Sequence, residues 1–264
     1  MPKIDIVTDA NDPRLEPFSQ VRDRDVAGRQ GGFIAEGEVV LRVLARSRHY
    51  SAHSLLIAED RLTKLSPLIN TLDEHVTVLV ADQMIMDRVV GFAIHRGVLG
   101  FALRPAPWTP EVLLSDLPQR ALILALFGIS NHDNMGGIFR NAAAFGVQAV
   151  LLDGRCCDPL YRKAIRVSVG GTLVTPFARL PDDADPIALL HRHGFTPLAL
   201  SPTGEAAINT LTPPVRAAVL LGAEGAGLPL SILSRTQTIA IPMSGGFDSL
   251  NVATTSGIVL HHLR

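Results

Sequence analysis

Five segments in the second half of the chain are nearly continuous apolar runs: residues 120–127, 147–152, 195–200, 217–221 and 238–241. A strand with one face in water alternates apolar and polar residues. A strand covered on both faces by helices does not, so these runs are read as strands of a parallel sheet. Stretches of helical spacing separate them, at 136–145, 159–167, 186–193, 229–234 and 249–263. The alternation predicts an α/β fold whose ligand chemistry sits at the carboxyl ends of the strands.

Residues up to about 104 read as a smaller α/β unit. Strands are expected at 32–37, 54–58, 76–80 and 97–104, and helices at 12–25, 38–47, 61–70 and 84–90. Between the halves, residues 104–110 hold three prolines, which disfavour helix and sheet alike. The expected division is therefore 1–106 as a first domain, 107–117 as a linker and 118–264 as a second domain. The lone Trp108 is read as a packing anchor.

Composition narrows the function classes. Hydrophobic residues make up 47% and charged residues 19%, as in a packed globular protein. The formal net charge of -1 excludes a strongly basic overall field, so any nucleic-acid contact must come from a local cluster. Arg22, Arg24, Arg29, Arg42, Arg46 and Arg48 form one in sequence; interspersed acids leave ordinary solvated surface as the other reading. Adjacent Cys156 and Cys157 suit neither a mutual disulfide nor a zinc site and are read as reduced thiols. No apolar run approaches the ~20 residues that span a bilayer, and residues 1–10 lack the order of a signal peptide. The chain is expected to be cytoplasmic, with no membrane partner. The histidines, including His191, His193, His261 and His262, have no partner set at ligand spacing, so no metal is expected.

Three segments carry the chemistry. In 128–146, a turn rich in Asn and Asp, including Asn134, leaves a buried strand for a helix in which Arg140 stands among small and apolar residues. In 219–229, a strand meets Gly222-Ala223-Glu224-Gly225-Ala226-Gly227, where glycines permit close backbone approach. The segment has neither the dinucleotide fingerprint nor the lysine of a phosphate loop. In 239–260, a strand ending at Ile241 meets a glycine turn, and Asp248 or Ser249 marks a helix start. Asn251 in the first turn is a poor helix former and calls for another reason to be there.

In this order, the three segments resemble the three signature motifs of the SpoU (TrmH-like) branch of the SPOUT RNA 2′-O-methyltransferases. More weakly, Phe33, Glu36 and Gly37, with residues 95–100, resemble the L30e-like substrate-binding domain that many members carry. The resemblance implies a parallel-sheet SPOUT domain with a deep trefoil knot, preceded by that small α/β domain, and a homodimer whose active site draws on both protomers. It implies S-adenosyl-L-methionine as methyl donor, held by backbone groups of Gly222, Ile241 and Leu250, and RNA (rRNA, with tRNA next) as substrate. Asn134, Arg140, Glu224, Ser249 and Asn251 match the polar catalytic positions. Ala223 departs from the Gly-Asn-Glu of many relatives and is read as a hint of an rRNA substrate.

The motifs hold no His to act as base, and a guanidinium keeps its proton at high cost to any role as base. Arg140 is therefore expected to hold a phosphate and stabilise developing alkoxide charge. Ser249 and Asn251 are expected to orient the ribose and Arg140, and Glu224 to fix the motif-two loop. The alternatives are a catalytically silent RNA-binding or assembly protein of the same fold, and an oxidoreductase. Against the first stand the five polar motif residues, and against the second the missing dinucleotide fingerprint.

Overall fold

The computed structural model of the chain describes residues 2–19, 31–245 and 249–264. Its first elements are β1 (Lys3–Ile6), β2 (Gly32–Glu36), α1 (Glu38–Leu44), β3 (Ser51–Ala58), α2 (Leu62–Ile69), β4 (Thr77–Ala81), α3 (Gln83–Val90) and β5 (Val98–Leu103). Then follow α4 (Pro110–Ser115), β6 (Ala121–Leu126), α5 (His132–Ala144), β7 (Ala149–Leu152), α6 (Arg162–Val167), β8 (Phe177–Arg179), α7 (Pro186–Arg192) and β9 (Thr196–Leu200). The last are β10 (Ala206–Ala207), β11 (Arg216–Leu221), α8 (Leu230–Leu233), β12 (Gln237–Ala240) and α9 (Val252–Leu263). Two compact units result: Met1–Ala106 with Leu160–Val174, and Pro107–Pro159 with Thr175–Arg264.

In the second unit, the five apolar runs become β6, β7, β9, β11 and β12 of a seven-stranded sheet in the order β10-β12-β9-β11-β6-β7-β8. Every recorded pairing in it is parallel. All six residues of β6 are buried, as expected of a strand covered on both faces. Its alternate residues Ala121, Ile123 and Ala125 face one core with Leu113 and Leu114 of α4, Leu189 and Leu190 of α7 and Ile232 of α8. Helices α5 and α9 pack against each other. A Cβ on Gly137 would meet that of Ala253 at 2.7 Å, and the Asn141 amide donates to the Ala253 carbonyl (2.7 Å) and the Ser256 hydroxyl (2.9 Å).

The first unit holds a mixed five-stranded sheet in the order β1-β4-β3-β5-β2. Strand β4 pairs parallel with β1 and β3, whereas β5 pairs antiparallel with β3 and β2. Glu36, at the end of β2, is only 5% exposed. Arg162 approaches its carboxylate at 2.6 Å, Arg166 at 3.6 Å and Arg96 at 3.8 Å. This grouping accounts for a glutamate in so apolar a strand, since a buried carboxylate needs countercharge.

Several local expectations are corrected. The expected linker contains α4: Pro110 starts it, and Thr109 caps it by accepting from the Val112 N–H. Proline breaks helix interiors but suits a first turn, where no N–H is needed. Trp108 is partly buried against the core that α4 joins. The segment 160–174, counted in sequence with the second domain, lies in the first unit. Pro13–Phe18 forms a 3-10 turn capped by Asp12. The rest of the helix expected at 12–25, with Arg22, Arg24 and Arg29, falls outside the described residues, as does Asp248. Strands β1, β8 and β10 were not expected. Among the described residues, no helix is long and apolar enough to cross a membrane.

Candidate active site

The carboxyl ends of β6, β9, β11 and β12 carry the loops that form the site. After β6 the chain turns at Gly128, whose φ of +69° favours glycine. The Gly128 N–H donates to the Asp153 carboxylate at 2.9 Å. Burial works against that charge, but the Gly128 N–H, the Cys156 thiol and Arg155 outweigh it and hold the carboxyl below its ordinary value. Cys156 fills the floor of the turn, accepting from the Ile129 N–H and donating to the Leu126 carbonyl. Burial pushes its thiol up to about 12 and that of Cys157 to about 11, and both are free thiols. Asn131 then caps α5, accepting from the N–H groups of Asp133 (2.7 Å) and Asn134 (3.3 Å). The helix therefore starts at His132, four residues before the sequence expectation, because the polar run 131–134 is a cap and a first turn.

The loop after β11 doubles back on itself. The Gly227 N–H donates to the Ala223 carbonyl at 2.9 Å, and Gly225 and Gly227 have φ of +86° and +66°. A Cβ on Gly222 would lie inside the backbone of Gly227 and Leu228. Glycine at 222 is thus required by the loop's own closure, before any ligand is considered.

The third loop supplies a second correction. Helix α9 begins at Val252, and Asn251 is its cap, accepting from the N–H groups of Ala253 (2.9 Å) and Thr254 (3.2 Å). The amide nitrogen of the same side chain donates to Asn134 Oδ1 at 2.8 Å and to Glu224 Oε1 at 3.1 Å. Asn134 Nδ2 donates to the same Glu224 oxygen at 2.8 Å. One residue from each motif thus joins a closed hydrogen-bonded triangle, with Asn134 buried and Glu224 and Asn251 at the surface. Both asparagine amides are engaged with protein groups, so they serve to tie the three loops together.

Beside the triangle lies a cleft of about 610 Å³. Gly222, Ile241 and Leu250 line it, as do Glu224 and Ser249. Asn134, Asn251 and Arg140 do not; the first two reach it through Glu224. Arg140 is exposed, and no described residue pairs with it. On an α-helix it lies about 120° around and about 9 Å along from Asn134. Residues 200–203, at the end of β9, also line the cleft and were missed in the sequence. The rule that ligands sit at strand carboxyl ends would have found them. A larger hollow of about 710 Å³ is walled by Asp153, Asp182, Asp183 and Asp185 and holds none of the expected site residues. Among the described residues, no group of His, Cys, Asp or Glu is placed to hold a metal ion.

Residues 121–261 match the model of the SpoU rRNA Methylase family. An uncharacterized tRNA/rRNA methyltransferase of Mycobacterium bovis is 37% identical across 97% of this chain and 90% of its own. A 23S rRNA (guanosine-2′-O-)-methyltransferase of Acinetobacter baylyi is 31% identical across 77% of this chain and 83% of its own. Among solved structures, an AdoMet-bound rRNA methyltransferase of Sinorhizobium meliloti superposes with a TM-score of 0.80 at 22% identity, over 99% of this chain and 97% of that one. The SpoU methyltransferase AviRb of Streptomyces viridochromogenes, in complex with AdoMet, also gives 0.80, at 19% identity over 96% and 97%. At such identities these two structures speak for the fold, and the sequence matches speak for the family. The chain belongs to the SpoU rRNA methylase family.

Proposed function

We propose that the protein transfers a methyl group from S-adenosylmethionine to a ribose 2′-hydroxyl of RNA, with rRNA favoured over tRNA. One observation carries this reading: Gly222, Ile241 and Leu250, expected to hold the donor, share one cleft with Glu224, the corner at which the triangle of motif residues reaches it. The cleft's volume of about 610 Å³ lies within the usual range for cofactor-sized ligands. Its walls combine loop backbone and apolar side chains, which suit the faces of an adenine, with hydroxyls and Glu224, which suit polar groups of a ligand. When bound, the sulfonium supplies an electrophilic methyl group.

The chain's own residues then have three tasks. The triangle fixes the loops so that donor and ribose oxygen align, and alignment is a large share of the catalysis of such a displacement. Ser249, on the cleft wall, orients the ribose. Arg140 grips the neighbouring phosphate and stabilises the alkoxide as the hydroxyl loses its proton. Because Arg140 stands outside the cleft and unpaired among the described residues, we assign it to a site completed across a homodimer. The reading includes a trefoil knot threading the loops 222–228 and 241–252, an RNA-binding role for the first unit, and work in the cytoplasm.

Calorimetry with S-adenosylmethionine, followed by labelled-methyl transfer to RNA from cells lacking the gene, tests it. Donor binding and ribose labelling are expected. RNA binding without donor binding would instead make the chain a silent member of its family.

A further inference from the structure

In the first unit, Ser47 ties two segments together. Its hydroxyl donates to the Leu173 carbonyl at 3.0 Å and accepts from the N–H groups of His49 and Tyr50, both at 3.2 Å. Gly170, at φ +83°, brings the other side in so closely that a Cβ there would lie 2.9 Å from that of Val43. Between α1 with its following loop and residues 173–174 lies a groove of about 450 Å³. Arg42, Arg46, Arg48 and His49 line it, together with Val39 and Val174. These two valines are 58% and 52% exposed.

The charge here departs from that of the whole chain. Arg42 shares Glu38 with Lys64, at 2.9 and 3.0 Å. No described carboxylate pairs with the exposed Arg46 or Arg48. Asp73 lines an adjoining cleft beside Arg48 without forming an ion pair to it. Arg42 lies in the last turn of α1, and Arg46 and Arg48 lie in the loop that follows it.

We propose that this groove docks an unpaired segment of RNA, with Arg46 and Arg48 on its phosphodiesters and a base lying over Val39 and Val174. The proposal rests on the reading of the chain as an RNA methyltransferase and adds where and in what form the RNA is held. The groove has room for a nucleotide-sized group but not for a duplex, and exposed apolar side chains between arginines have no use against a duplex, whose base faces are hidden.

The test is binding of a short fluorescent oligouridylate, and of an RNA duplex of equal length, to the full chain and to Arg46→Glu/Arg48→Glu, across a salt series. The substitutions lie on the surface, so folding is retained; S-adenosylmethionine affinity, measured alongside, reports on the other unit. The single strand is expected to bind the double variant about tenfold more weakly at low salt, with a log–log salt slope shallower by about 1.4. Unchanged affinity and slope would overturn the proposal, as would a preference for the duplex. A variant whose oligomeric state changes while its RNA binding does not would assign the groove to a second copy of the chain instead. Failure of donor binding in the wild type would sink the methyltransferase reading and leave the RNA result standing on its own.

Discussion

The two units use their polar residues in opposite ways. In the second, motif side chains from three loops bond to each other: Asn134, Glu224 and Asn251 close a triangle, and the cleft beside it is walled by glycine backbone and apolar groups with a few hydroxyls and Glu224 among them. In the first, Arg46 and Arg48 stand exposed with no described counterion. The all-parallel sheet places its strand ends, and therefore its loops, at one edge, where side chains from distant sequence meet. The mixed sheet of the first unit has no such common edge. Shape-selective binding of a small donor suits the former, and electrostatic capture of a long polyanion suits the latter.

The sharpest way to break this contrast is through Arg140, the one site residue that behaves like those of the first unit. Arg140→Ala is expected to lower turnover about 10²–10³-fold with donor affinity unchanged, and Arg140→Lys to recover little of it. Mixed with Asn251→Ala, it is expected to regain about a quarter of wild-type activity if two copies share each site. No gain despite proven subunit exchange would place both residues in one chain's site.

Next comes Gly222→Val, whose side chain would enter the backbone of Gly227 and Leu228. Overpacking of roughly 1–3 kcal/mol predicts a tenfold to hundredfold loss of donor affinity by calorimetry, with RNA binding intact. Intact donor affinity would show that the loop's closure is not what shapes the cleft.

Glu36→Ala in the first unit is expected to cost about 2 kcal/mol in stability. That is less than for a fully buried pair, because Arg96 and Arg166 are half and one-third exposed and keep part of their hydration. Thermal melting measures it, and donor affinity should not move. The smallest effect is expected at Asp153. Its folded value lies below the ordinary 3.8, so its stabilisation is full above that pH and is lost as pH falls through the lower folded value. Asp153→Asn should flatten acid unfolding in that window, and an unchanged acid limb would dismiss the Gly128 bond as a stabiliser.

Much of the sheet was legible because continuous apolar runs have few other interpretations. Strands β8 and β10, of three and two residues, are too short to carry any periodicity. The lodging of 160–174 in the first unit is made by contacts with residues more than a hundred positions away, such as Arg162 with Glu36 and Leu173 with Ser47, and leaves no local trace. At the site, Asn251 marked itself as a poor helix former and Arg140 as a charge among small and apolar residues, whereas Asn134 and Glu224 came only from the resemblance of their segments to the family motifs. That Asn134, Glu224 and Asn251 bond to one another could not be read, because adjacency across three loops is a property of the topology. Residues 201–203 escaped notice because Ser-Pro-Thr looks like any turn.

The carboxamide of Asn251 has a bearing on how this region comes apart. It has two hydrogens to give and two lone pairs to accept with, and all four are engaged: two holding loops, two starting α9. Aspartate would keep the helix start but lose both donors and set a second carboxylate against Glu224. Serine would keep only the start. Helix initiation and loop closure are therefore a single cooperative event. A molecule that frays at the beginning of α9 loses its clamp on the other two loops in the same opening, so hydrogen exchange at Ala253 and Thr254 should track that at Gly227, whose N–H closes the loop after β11, and half-assembled sites should not accumulate.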